Sequence, residues 1–149
     1  VIARKCVIAS AALLVACGGA TNAGSTTPVD APRRECTAAL RFAEPEVAQT
    51  SDEEMPRTAI ALALICEDEP IRTVAIGTEV GACFNDEASD GALLRARCWW
   101  AGQGAIVVVR RNGEVLEVLR ADVDEHTGAG ALERVTQLEI PANHVLHTL

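Results

Sequence analysis

The chain has 149 residues and a formal net charge of −8, with 13 basic side chains set against 21 acidic ones. That excess of carboxylates argues against a nucleic-acid binder and against adsorption of the folded part onto anionic lipid headgroups. With no tyrosine, and with Lys5 as the only lysine, acid–base and Schiff-base chemistry also have few carriers.

The chain opens with Arg4 and Lys5, followed by an apolar run from Cys6 to Ala16. A positive start and a short hydrophobic segment are the parts of an export leader. The run is about half the roughly 20 residues a membrane-spanning helix needs. It closes on Leu14-Val15-Ala16-Cys17, where small side chains precede a cysteine. That segment resembles the lipobox of bacterial lipoproteins. The resemblance implies cleavage before Cys17, a diacylglycerol thioether on its sulfur and an acyl chain on the new amino terminus. A plain secretory leader cut near Asn22–Gly24 is the alternative. On the lipoprotein reading, residues 1–16 are signal peptide, 17–34 are the lipidated start and a flexible tether, and 35–149 are a single β-rich domain. Loss of Arg4 and Lys5 makes the mature chain two charges more negative. Gly18 after the lipidated cysteine, in place of Asp, is compatible with the outer membrane by the sorting pattern of enteric bacteria. A domain of roughly 110 to 120 residues can bury a core and stand alone.

The tether is rich in Gly, Ala, Ser, Thr and Pro and has too little apolar surface to offset the entropy of ordering it. Thr37 to Phe42 carries Leu40 and Phe42 at strand spacing, and Pro45 limits any continuation to an edge or a bend. Ser51-Asp52-Glu53-Glu54 has the form of a capping box, but Pro56 stands where the helix interior would be. Thr58 to Cys66 alternates, with Ile60, Leu62, Leu64 and Cys66 on one side and alanines on the other. A buried helix also fits, but Pro56 and Pro70 leave too little length for one, so a strand is expected. Ile71 to Ile76 is the second arm of a hairpin, and Gly77 and Gly81 bracket a bend leading to Cys83.

Asn85 to Gly91 reads as a polar loop and Leu93 to Trp100 as a strand. Leu94, Ala96, Cys98 and Trp100 form its core face; Leu93, Arg95, Arg97 and Trp99 form its outer face. Gly102-Gln103-Gly104 makes the turn. Asn112-Gly113 between two apolar alternations predicts a hairpin with a type I′ turn. That turn places Arg111 opposite Glu114, Val109 opposite Leu116, Val107 opposite Val118 and Val108 opposite Glu117. Asp122 to Gly130 is an acidic loop. Leu132 to Ile140 fits a strand, with Leu132, Thr136, Leu138 and Ile140 on one face, and fits a helix nearly as well. Ala142 to Leu149 is a tail or a short edge strand. The rhythm predicts an all-β or mainly β fold, an antiparallel sandwich or barrel of about seven strands.

Cys36, Cys66, Cys83 and Cys98 remain once Cys6 and Cys17 are set aside. In an exported domain an even set reads as two disulfides, with three connectivities open. A four-thiolate zinc site would need close Cys-x-x-Cys pairs, and these cysteines are scattered.

Few constellations point to chemistry. Asp122, Asp124 and His126 would share one side of an extended chain and are weak candidates for a divalent ion; a solvated acidic loop accounts for them as well. Asp86-x-Ala88-x-Asp90-Gly91 mimics half a calcium loop but has alanine at its third position. His144-x-x-His147 would share a helical face, yet no helix is expected there. Ser51 and Ser89 lack a nucleophile setting, and no glycine-rich phosphate loop follows a strand. No catalytic residue, metal or cofactor is therefore assigned, apart from the acyl chains on Cys17. Arg95, Arg97 and Trp99 are the most suggestive surface, because guanidinium groups beside an indole can stack and offer donors to a carboxylate, a sugar or a partner loop. The expectation is a non-catalytic binding or structural accessory lipoprotein, held to the bilayer of the cell envelope and meeting an envelope protein or cell-wall material. The alternatives are an inhibitor of a cationic envelope enzyme such as a lysozyme and, least favoured, a metal-dependent or hydrolytic enzyme.

Overall fold

The computed structural model describes residues 31–44 and 55–149. The lipobox with Cys17, most of the tether and the Ser51–Glu54 motif lie outside the described residues. Arg33–Leu149 is one compact unit. The described residues hold strands and turns and no helix. The strands are β1 (Arg34–Ala43), β2 (Arg57–Cys66), β3 (Arg72–Val80), β4 (Ala82–Asp86), β5 (Leu94–Trp100), β6 (Gln103–Asn112), β7 (Val115–Asp124), β8 (Gly128–Ala129), β9 (Glu133–Glu139) and β10 (His144–Thr148).

They form two sheets. The first runs β10-β1-β2-β3; the second runs β4-β5-β6-β7, with β8 and β9 sharing the far edge of β7. Alternation explains the layering. Ala38 and Leu40 on β1 and Ile60, Leu62 and Leu64 on β2 turn toward Leu94, Ala96, Val107, Val109, Leu116 and Val118 on β5–β7, making one core cluster. Burying each larger aliphatic side chain contributes about 1.5–3 kcal/mol. Between β3 and β4 the chain passes from the first sheet to the second through a single residue, Gly81, at φ +94°, where a Cβ would stand 2.2 Å from the Trp99 carbonyl oxygen. No other residue fits that joint.

Both disulfides link residues directly opposite each other on neighbouring antiparallel strands. Cys36 on β1 joins Cys66 on β2, and Cys83 on β4 joins Cys98 on β5, with Cα–Cα distances of 4.0 and 4.1 Å. Each bond therefore staples one sheet rather than tying the two sheets together.

Several expectations need correction. The described residues hold ten strands rather than about seven: β3 runs on through the expected bend to Val80, Ala82–Asp86 around Cys83 is strand β4, and β8 and β10 add short edges. One pairing is parallel, β10 on β1, so the first and last strands lie side by side. The β6–β7 hairpin exists with a different turn. Asn112 pairs with Val115, leaving Gly113 and Glu114 as the turn, and only Gly113 has positive φ. That is the pattern of a type II′ turn. Val109 consequently faces Val118, Val107 faces Arg120 and Val108 faces Leu119, while Arg111 faces Leu116 and donates from Nε to the Gly113 carbonyl. Partners slip by two, which leaves both faces unchanged, so hydrophobic alternation cannot distinguish the two registers. The type I′ turn sits one hairpin earlier, at Ala101-Gly102, both with positive φ, rather than at Gly102–Gly104. Trp100 flanks that turn at the end of β5 and is exposed instead of buried.

Residues 133–139 are strand, not helix. Val118 pairs with Thr136 but the next residue, Leu119, pairs with Arg134, so Val135 is an extra, bulged residue. A bulge reverses the alternation beyond it. Leu138 and Ile140 pack on the core, while Leu132 goes to the opposite face.

Candidate functional site

The outer face of the second sheet gathers the strip read from the sequence. Arg95, Arg97 and Trp99 are paired in register with Asp86, Phe84 and Ala82 on one side and with Val108, Ile106 and Gly104 on the other. Asp86 Oδ2 stands 3.4 Å from both Arg95 Nε and Arg97 NH2, and Arg95 NH1 donates to Ser89 Oγ at 3.0 Å. The Trp99 ring lies across the backbone of Gly104, where a Cβ would come within 2.9 Å of it. Part of the strip is thus occupied internally: the arginines answer Asp86, and the indole covers a glycine. Arg97 and Phe84 remain open to solvent, Phe84 at 50 % exposure.

Beside the strip lies a depression of about 210 Å³, with Ile106, Val108 and Ala121 in its lining. Val108 and Ala121 are only 6 % and 3 % exposed although they point away from the core between the sheets. Arg95, Arg110, the Ser89-Asp90 turn and Leu132 supply the rest of its polar and apolar lining. Arg95 Nε and Arg110 Nε are buried without a hydrogen-bond partner. The depression is an apolar site bordered by guanidinium groups, suited chemically to a carboxylate carried on an apolar body.

A second cavity, of about 380 Å³, opens at one end of the sandwich and is lined by Glu79, Gln103, Arg120, Asp122 and Asp124 among others. Among the described residues, Glu79 is the one polar residue in the buried set. It points inward because Ile76 is bulged out of the β2–β3 ladder, between the Ile60–Gly77 and Ala61–Ala75 pairs, and the alternation reverses after it. Arg120 donates to both Glu79 oxygens, from Nε and, at 2.8 Å, from NH2, and its NH2 also stands 2.8 Å from Asp122 Oδ1. Hydrogen bonding to Glu79, with Asp122 adding to it, raises the Arg120 pKa above its ordinary value against the opposing effect of burial. This pair bridges the two sheets, and sequence reading missed it. The available signal was Gly77, a strand glycine of the kind that marks a bulge.

The acidic candidates divide. Asp122 is held by Arg120, and Asp124 Oδ1 accepts from the backbone N–H groups of His126 and Thr127. Asp122 and Asp124 line the end cavity, whereas His126 does not; its Nε2 lies 3.3 Å from Glu125. Among the described residues, the one group of three metal-ligand types drawn together is Cys36, Cys66 and His144. His144 and His147 sit on a strand rather than a helix, and their side chains differ in exposure, 6 % against 51 %.

No protein-family model, curated protein or solved structure matches this chain.

Proposed function

We propose that this protein is an envelope lipoprotein, moored through Cys17, whose β-sandwich acts as a non-catalytic binding or accessory domain. Its working surface is the outer face of the second sheet: Arg95, Arg97 and Trp99, with Phe84 and the depression beside them. The observation that carries this reading is the depression itself, where apolar side chains directed away from the core are nevertheless buried between Arg95, ion-paired with Asp86, and Arg110, whose Nε makes no hydrogen bond. The partner class that suits it is a carboxylate-bearing envelope protein or cell-wall peptide. Capture from envelope extract on the delipidated domain tests this. Trp99→Ala and Arg97→Ala should each reduce recovery of the same partner several-fold, and equal recovery by both variants refutes the assigned surface. The mooring is tested separately by mass spectrometry of membrane-extracted protein: a free thiol on Cys17 in an unprocessed chain refutes it.

An inhibitor of a cationic envelope enzyme is the second reading, favoured by the exposed carboxylates of Asp122 and Glu125 beside the end cavity. Undiminished lysis of cells by lysozyme at high excess of the domain eliminates it.

A further inference from the structure

The Cys36–Cys66 bond has a neighbour that Cys83–Cys98 lacks. Strand β10 lies parallel to β1 in a register that sets Leu146 beside Cys36 and His144 beside Arg34, and His144 turns inward with its side chain 6 % exposed. The His144 Nδ1 atom is 2.9 Å from the Ala142 carbonyl oxygen. That oxygen can only accept, so Nδ1 carries a proton, and in the neutral ring the lone pair is on Nε2. Nε2 is buried and has no hydrogen-bond partner. Cys36 Sγ, Cys66 Sγ and one His144 ring nitrogen all lie within 4.8 Å of one another. Glu69 Oε1 is 3.6 Å from Nε2. A backbone carbonyl that engages one ring nitrogen and leaves the other without a hydrogen bond is how metal-binding histidines are held.

We propose that Cys36, Cys66 and His144 form a zinc-class metal site, open in the dithiol state of the chain and closed by the disulfide. A dithiol reductant opens it: two electrons and two protons pass to the Cys36–Cys66 bond, giving two thiols, and the reductant leaves as its own disulfide. The metal ion displaces both thiol protons to solvent and changes no oxidation state. Two thiolates and one neutral imidazole fill three tetrahedral positions and leave the fourth to water. Softness of the donors favours zinc over calcium or magnesium. The site lies in the first sheet, at the edge of the core, and is separate from the binding surface on the outer face of the second.

The test is a titration of the full chain, reduced with a phosphine under argon, with Co²⁺ as the spectroscopic probe and Zn²⁺ as competitor. Reduced protein should take up one Co²⁺ with a thiolate-to-metal charge-transfer band, and the oxidised protein none. The band should persist in Cys83→Ser/Cys98→Ser and vanish in Cys36→Ser/Cys66→Ser, which keeps Cys6 and Cys17. His144→Ala should weaken binding on the order of 10- to 100-fold, the range that loss of even an outer partner of a ligand costs. His147→Ala should change it less than about twofold. Because binding and folding are linked at such sites, added Zn²⁺ should also raise the melting temperature of the reduced chain. Equal binding by the oxidised chain, an unchanged affinity in His144→Ala, or a band that follows Cys83 and Cys98 instead would each overturn the proposal.

Discussion

The two sheets share one core but differ on their outward faces. Apart from Arg41 and Ile65, the first sheet turns outward mainly Thr37, Ala39, Ala61, Thr73 and Ala75, short side chains that present little to grip. The second carries Phe84, Trp99, Ile106, Val108 and Leu119, interleaved with Arg95, Arg97 and Arg110. Each sheet has a disulfide between adjacent strands, so stapling does not distinguish them. The outer faces do. The first sheet spends its structure on closure, joining the first and last strands and enclosing His144 beside a disulfide, while the second has larger side chains than its fold requires. On the proposed function, that apolar area next to cations is the face offered to a partner.

The largest effect should come from the staples. Cys36→Ala/Cys66→Ala, freeing a sequence separation of 30, should cost about 4 kcal/mol in urea unfolding; Cys83→Ala/Cys98→Ala, with a separation of 15, should cost about 3 kcal/mol. A larger loss from the second pair would reverse the view of the first sheet as the closing one. Next comes the link between the sheets. Arg120→Ala leaves Glu79 buried without its cation and should cost roughly 3 kcal/mol, measured as a shift in the urea midpoint. Arg120→Ala/Glu79→Leu should recover much of that loss, because the stranded charge is gone. The Arg120 pKa is raised, so its share of stability is present below the ordinary arginine pKa and lost only above it; lowering the pH does not titrate the pair from the arginine side.

Smaller effects test the outer faces directly. Val108→Ala, at a site as buried as the core, should cost about 1–2 kcal/mol, whereas Thr73→Ala on the other sheet should stay within about 0.5 kcal/mol. Equal costs would erase the contrast. Phe84→Ser should leave the melting temperature nearly unchanged and still reduce partner capture, since half of its surface is already in water. A marked loss of stability there would make Phe84 part of the fold rather than part of an interface.

How far these features could be read in the sequence depends on whether they are local. Alternation at Ile60-Leu62-Leu64-Cys66 and at Val107–Val109 assigned strands and faces, because successive side chains of a strand point to opposite sides whatever the partner. The strip of Arg95, Arg97 and Trp99 was legible for the same reason. Its pairing with Asp86, and the Trp99 ring lying over Gly104, were not, since both depend on which strand lies alongside. The hairpin register was missed because a slip of two residues preserves every face. The inward turn of Glu79 and the outward turn of Leu132 were missed because a single bulged residue reverses the alternation without altering composition.

The amino-acid order alone therefore determined the all-β class, the core face of most strands and the presence of two disulfides in one small domain, all consequences of two-residue periodicity and of an even cysteine set. Tertiary structure decided which cysteines join, that β10 runs parallel to β1, that Arg120 meets Glu79 and that His144 lies beside Cys36 and Cys66. Those are relations between residues 15 to 110 positions apart. Only packing, with the entropy of closing long loops repaid by burial, selects among such pairings.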